Sequence, residues 1–417
     1  MTRFWHPVAD MSAVAASGEL VLERGEGVHV WDESGRRYLD ATGGLWYCNV
    51  GYGRDEIVDA AMAQMRRLPA YSHYGDVSSR ATTDLAERLA AVAPMDDAAV
   101  FFASGGGESV ETAVKLARRY WSLVGSDEKT IVISRERAYH GLAGYGTSLV
   151  GMDVFTVGVG PLAGDMLQVP WDDAAALAAT IDHVGAERVA AFFCEPIVGA
   201  GGVLLPPPGY LEEARRVCRE RNVLFVADEV ICGFCRVGDW FASTRFGLEP
   251  DLVTFAKGVT SGYLPLGGVI VGARVREPFW SPGAGVWRHG YTYSGHATAT
   301  AAAHANLDIM EREGLAERAL GLESELAAAL ASLASHPLVA DVRAGLGVVA
   351  AVQLSADALA EDPTTADRVL AAARDHGVLG RGLAGGSLQI SPALTIDAEG
   401  LAELVAGVRA ALDDVGA

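Results

Sequence analysis

Lysine is rare in this chain: of thirty-three basic residues only Lys115, Lys129 and Lys257 are lysine. Lys257 ends an apolar run, Asp251-Leu-Val-Thr-Phe-Ala-Lys257, and a glycine follows at once. The pattern reads as a strand entering a tight loop. An amine held there is partly desolvated, which lowers its pKa and makes it a nucleophile. Arginine cannot do this work, because it keeps its proton and forms no Schiff base. The other two lysines have plainer readings. Lys115 lies four residues after Glu111 on an expected helix, the spacing of a favourable ion pair. Lys129 falls in a polar turn, Gly125-Ser-Asp-Glu-Lys129.

Three further features carry chemistry. Ser104-Gly-Gly-Gly107 stands between an expected strand at 99–103 and an expected helix from 108. Free N–H groups at a helix start, with the positive end of its dipole, suit a phosphate; the spacing matches neither the P-loop nor GxGxxG. Asp228 ends a buried run, Val223-Leu-Phe-Val-Ala227, and needs a cationic partner: a protonated heterocyclic nitrogen or an arginine. Tyr139-His140-Gly141 offers an aromatic ring for stacking on a planar ligand. A phosphate cradle, a stacking ring, a carboxylate for a ring nitrogen and a nucleophilic lysine together describe a site for pyridoxal 5′-phosphate.

These groups need a scaffold that brings distant segments to one place. Apolar runs at 130–134, 189–194, 223–227, 252–256 and 268–271 are interleaved with helical stretches, notably 108–121 and 209–221. Buried runs alternating with helices predict an α/β fold, with a mostly parallel sheet covered on both faces and the ligand beyond the carboxyl ends of its strands. Residues 27–40 read as a small hairpin. Helices are expected at 297–334, 365–376 and 398–413, with short strands near 346–354 and 387–391. The expected division is an N-terminal segment 1–50 that joins a smaller α+β domain, a large domain 51–310, and a C-terminal small domain 311–417.

The chain has 417 residues and a formal net charge of -20. That charge argues against nucleic acid and anionic membrane as partners, since both need basic surface. No apolar run is long enough to span a bilayer, and the N-terminus has no signal-peptide pattern. The five cysteines, an odd and sparse set, fit a reducing compartment, so the expectation is a cytoplasmic protein. Cys232-Gly-Phe-Cys235 has redox-motif spacing, but no second pair completes a zinc site, and no metal is expected.

The chain resembles, over essentially its whole length, the class III or omega aminotransferases of the fold-type I group. The resemblance rests on Asp228-Glu-Val-Ile-Cys-Gly-Phe234, Thr254-Phe-Ala-Lys-Gly-Val259, Glu195-Pro-Ile-Val-Gly-Ala-Gly-Gly202 and His289-Gly-Tyr-Thr-Tyr-Ser-Gly-His296. It implies that Lys257 holds pyridoxal phosphate as a Schiff base and is the catalytic residue, and that Asp228 pairs with the ring nitrogen. It implies too that Val230 and Tyr139 cover the two ring faces, with His140 beside them, and that Gly106 and Gly107 bind the phosphate. Thr292 would reach the phosphate of a partner subunit, making a homodimer with shared sites. Glu195 lies near the cofactor in the family. Gly107 stands where serine is usual, Cys235 where glycine is usual, and Ala297 where proline is common.

Ala41-Thr-Gly-Gly-Leu-Trp46 resembles the amine:pyruvate branch, where this tryptophan lines the substrate pocket. Arg381 falls where that branch places a mobile arginine able to take a carboxylate bidentately. Ala200 stands where ornithine and 4-aminobutyrate enzymes carry a glutamate that restrains it. The resemblance therefore implies ping-pong transfer of an amino group from a primary amine or omega-amino acid to a keto acid such as pyruvate. The same motifs also occur in diamine- or amino-acid-specific transaminases, decarboxylases and aminomutases.

Overall fold

The computed structural model describes residues 2–416. Seven strands form the central sheet: β1 (Ala99–Ala103), β2 (Ile131–Arg135), β3 (Met166–Val169), β4 (Val189–Cys194), β5 (Leu224–Asp228), β6 (Leu252–Phe255) and β7 (Gly267–Val271). They lie in the order β1-β7-β6-β5-β4-β2-β3. β7 runs antiparallel to both neighbours, and every other pairing is parallel. Every residue of β4 and β5 is buried, which is why these segments are apolar without alternation. β3 is an edge strand with only Val169 buried. Its mixed Met-Leu-Gln-Val pattern hides it from a reading based on apolar runs.

Strands Leu22–Glu26, His29–Asp32 and Arg37–Asp40 form an antiparallel set. Val378–Leu379 joins it parallel to Arg37–Asp40, so segments from near both termini share one sheet. A further four-stranded sheet contains Val339–Arg343, Ala350–Leu354, Ser387–Ile390 and Gly382–Leu383. The stretch expected as one long helix over 297–334 is two helices, Ala297–Arg312 and Leu315–Ala331. Gly314 divides them at φ 59, a left-handed conformation that suits glycine and ends a helix.

Two lysine readings are corrected. Glu111 does not pair with Lys115; its carboxylate accepts the N–H groups of Tyr145 and Gly146 instead. Lys129 does follow the turn 127–128, but its side chain leaves that polar setting and is only 5% exposed. Its ammonium donates to the carbonyls of Ala186 (2.6 Å), Val189 (2.9 Å) and Asn222 (2.9 Å), at the amino ends of β4 and β5. The Trp121 ring lies 4.3 Å away and supplies a cation–π contact. Burial, with help from Arg274, pushes the amine down to about 8. Lys129→Met keeps the stem and removes all three donors. Urea unfolding should show a loss of about 3 kcal/mol with an unchanged m-value. An unchanged midpoint would show that the three carbonyls need no donor.

Candidate active site

The carboxyl ends of β2, β4, β5 and β6 meet at a cavity of about 200 Å³. Its lining includes Gly106, Gly107, Tyr139, His140, Asp228, Val230 and Lys257, with Glu195 beside them. Lys257 follows β6 and opens a short 3-10 turn. Its φ is 47°, and that of Trp46 is 61°. A left-handed non-glycine residue costs on the order of 1–3 kcal/mol, and such strain gathers at functional sites. The turn is tight: a Cβ on Gly258 would lie 2.6 Å from Asn49 Nδ2. Burial pushes the Lys257 amine down to about 8, against the pull of Asp228 and Glu195, while Arg381 adds to the push. An amine so placed exchanges its proton near neutrality.

Asp228 ends β5 and is 4% exposed. Its Oδ2 lies 2.6 Å from His140 Nδ1, and its Oδ1 accepts the Thr254 hydroxyl (2.9 Å) and the Val230 N–H (3.1 Å). Burial pushes the carboxyl up, but His140, Val230 and Thr254 outweigh it and hold Asp228 below the usual range. The carboxylate therefore stays charged in a buried place, where it can hold a proton on a ring nitrogen. Glu195 bridges two loops by accepting the N–H groups of Tyr139 (3.0 Å) and Gly199 (2.9 Å). Burial pushes its carboxyl up; Asp228 adds to this, and His140 pulls against it.

The helix α1 (Gly106–Leu123) starts at the cavity with no side chain capping it. Its first N–H groups have no partner within the helix. A Cβ on Gly106 would come 2.9 Å from Val230 Cγ1, so only glycine lets this turn pass beneath Val230. Space beside Gly105 and Gly107 is open. Tyr139 and Val230 both border the cavity. An uncapped helix start, an open glycine loop, a buried charged carboxylate and a deprotonatable lysine fit pyridoxal phosphate, with phosphate at α1 and ring nitrogen toward Asp228.

Trp46 and Arg381 come together from opposite ends of the chain. The Arg381 guanidinium carbon lies 5.2 Å from the Trp46 ring centroid, and Lys257 Nζ lies 5.6 Å from the same ring. Arg381 Nη1 is buried and has no hydrogen-bond partner among the described residues. Thr292 stands elsewhere: it is exposed, in the turn 292–295, and does not line the cavity.

Sequence reasoning missed Thr254 and left His140 and Glu195 without roles. Thr254 is a hydroxyl inside an otherwise apolar, fully buried strand, and it sits opposite Asp228 in register. A lone buried hydroxyl needs a partner, and that was the available signal. The five cysteines are free and buried, and burial pushes Cys235 up to about 12. Among the described residues no cluster of three or more His, Cys, Asp or Glu could hold a metal ion.

Known proteins share this sequence pattern and fold. The family profile for aminotransferase class-III matches residues 11–412. The putrescine–pyruvate aminotransferase of Pseudomonas aeruginosa is 39% identical, over 99% of this chain and 94% of its own. The crystal structure of an (S)-enantioselective omega-transaminase from Thermomicrobium roseum has TM-score 0.93 and 40% identity, covering 98% of this chain and 96% of its own. An amine transaminase from an uncultivated Pseudomonas species, solved in its PLP-bound internal aldimine form, has TM-score 0.94 and 35% identity over 100% and 99% of the two chains. With lysine, aspartate and glycine loop converging on one cavity inside this fold, the chain belongs to the class III aminotransferases and its cofactor is pyridoxal phosphate.

Proposed function

We propose that the enzyme moves an amino group from a primary amine or omega-amino acid to a keto acid, with pyruvate as the acceptor. The observation that carries this reading is Arg381, a partly buried guanidinium beside Trp46 with an orphaned Nη1. Burial lowers its pKa and Tyr139 pulls the other way; no carboxylate is among the groups acting on it. Its fork suits the carboxylate of a keto acid, and its length lets it turn away for an uncharged amine. Ala200, buried, offers nothing to tie it down. The putrescine–pyruvate relative supports the same pairing.

Pyridoxal phosphate, when bound, supplies a carbonyl carbon that bonds amines and a ring that takes up electrons from the donor carbon. Lys257 anchors it and, once displaced, carries a proton between donor and cofactor carbons at Nζ. Asp228 keeps a proton on the ring nitrogen, and His140 and Thr254 keep Asp228 charged and oriented. Tyr139 and Val230, which border the cavity, would hold the ring, Gly106 and Gly107 would present N–H groups to phosphate, and Trp46 would wall the donor pocket. Two copies share their sites, with Thr292 offered in trans. Exposed Tyr71, Tyr74, Val286 and Tyr293 support such a contact face. No helix among the described residues is long and apolar enough to cross a membrane. The five unpaired cysteines support a cytoplasmic setting.

The test is product analysis with a panel of amines and either pyruvate or 2-oxoglutarate. Alanine formed from pyruvate supports the reading; glutamate from 2-oxoglutarate with no alanine contradicts it. Arg381→Ala should lower kcat/KM for pyruvate about 30-fold, the loss of one buried charged pair, while an uncharged amine donor changes by less than about threefold. Equal losses for both substrates would remove Arg381 from acceptor recognition.

A further inference from the structure

Lys115 is the remaining lysine of the chain, and its partner is a histidine. Lys115 Nζ lies 3.1 Å from His289 Nδ1, and His289 Nε2 lies 2.9 Å from Thr112 Oγ1. Thr112 donates its hydroxyl proton to the Glu108 carbonyl (2.8 Å), and the Tyr291 hydroxyl donates to the same carbonyl (3.0 Å). An ammonium has only protons to give. Nδ1 must therefore accept, which places the ring proton on Nε2, and Nε2 donates to Thr112. The Lys115–His289 and His289–Thr112 bonds then each have one permitted direction. Burial and Lys115 push His289 down to about 4, in keeping with a neutral ring. Phe101 stacks on that ring at 5.4 Å and 19°, and Trp287 lies 4.7 Å away.

All three anchors, Glu108, Thr112 and Lys115, lie on one stripe of α1 at helical spacing. That helix is the one whose first turn borders the cavity. What they hold is the segment His289–Tyr291, immediately before Thr292. Lys115 itself is exposed, and among the described residues it forms no ion pair with Glu111, so the contact to His289 is its distinguishing interaction.

We propose that Lys115 is a positioning residue: by fixing the tautomer of His289 it holds the Thr292 turn of one subunit in the shape that completes the cofactor-phosphate site of the other. The proposal rests on the shared-site reading above. It gives α1 two duties, one at its own cavity through Gly106 and Gly107 and one at the partner's through the 289–292 segment.

Differently tagged chains, co-expressed and purified as a heterodimer, provide the test. Lys257→Ala in one chain removes its covalent cofactor signal, so visible absorbance during titration of the cofactor-free protein with pyridoxal phosphate reports the other chain's site. Lys115→Met placed on the Lys257→Ala chain should weaken cofactor binding at the intact site about tenfold, the order expected for one lost charged hydrogen bond. Lys115→Met on the intact chain should leave it unchanged. Lys115→Arg, which still offers only protons, should recover most of the loss. Weakening only when Lys115→Met is on the intact chain overturns the proposal. Thr292→Ala on the Lys257→Ala chain separates the two readings. If it weakens binding and Lys115→Met does not, Lys115 is no positioning residue. If Thr292→Ala has no effect in trans, the shared-site reading fails, and the proposal with it.

Discussion

Replacing Lys257 by alanine is expected to cut turnover by at least about 10⁴-fold while the chain still folds, because in the proposed mechanism one side chain serves as both covalent anchor and proton carrier. Among the described residues it is the lysine that lines the cavity. Circular dichroism and thermal unfolding should stay close to wild type, and the protein should bind cofactor without the absorption of the lysine-linked form. Normal turnover would remove Lys257 from the chemistry. The amine also sets a pH dependence. With a folded-state pKa of about 8, down from 10.5, the cofactor-free protein should capture cofactor faster as pH rises through about 8, since only the neutral amine has a free electron pair. Between about pH 8 and 10.5 the unfolded chain binds the extra proton. The stability of the cofactor-free wild type should therefore rise across that window relative to Lys257→Met. A capture rate that stays flat from pH 7 to 9 would contradict the desolvated-lysine reading.

Asp228→Asn should lower kcat on the order of 10³-fold, comparable to removing one preorganised electrostatic group from an enclosed site. The amide keeps the shape and loses the charge that would hold a proton on the ring nitrogen. It also leaves His140 opposite a neutral partner in a place where both side chains are almost fully buried. Losing a buried hydrogen bond to a charged group costs about 1.5–3 kcal/mol, so the melting temperature should fall as well. Steady-state kinetics and thermal unfolding separate the two effects. Thr254→Val, which removes only one of the hydrogen bonds to Asp228 and leaves its charge, should leave most of the activity. A kcat for Asp228→Asn within a few-fold of wild type would mean that the ring proton needs no carboxylate.

What the sequence disclosed follows from how local each signal is. Asp228 and Lys257 sit at ends of apolar runs, and Gly106 and Gly107 sit between a strand and a helix. Chain-local pattern therefore pointed to the residues that the structure gathers around one cavity. The parallel sheet was legible for the same reason, because strands buried on both faces leave unbroken apolar runs. Contacts between distant loops were not. Trp46 meets Arg381 only because the chain's two ends fold back together, through pairings such as Val378 with Leu39. The carbonyl cage of Lys129 is assembled from three segments whose spacing carries no mark of it. Glu111 and Lys115 had ion-pair spacing, yet Glu111 is engaged by two N–H groups at the start of the helix Gly144–Leu149. Helical spacing permits a pair and does not select it over competing donors.

Amine transfer to pyruvate through Lys257 is tested most directly by the visible spectrum of cofactor-loaded protein, taken before and after adding L-alanine and again after adding pyruvate. The expected result is loss of the lysine-linked cofactor band with alanine and its return with pyruvate, with one pyruvate consumed per site. A band that neither alanine nor any amine of the panel alters would contradict the account.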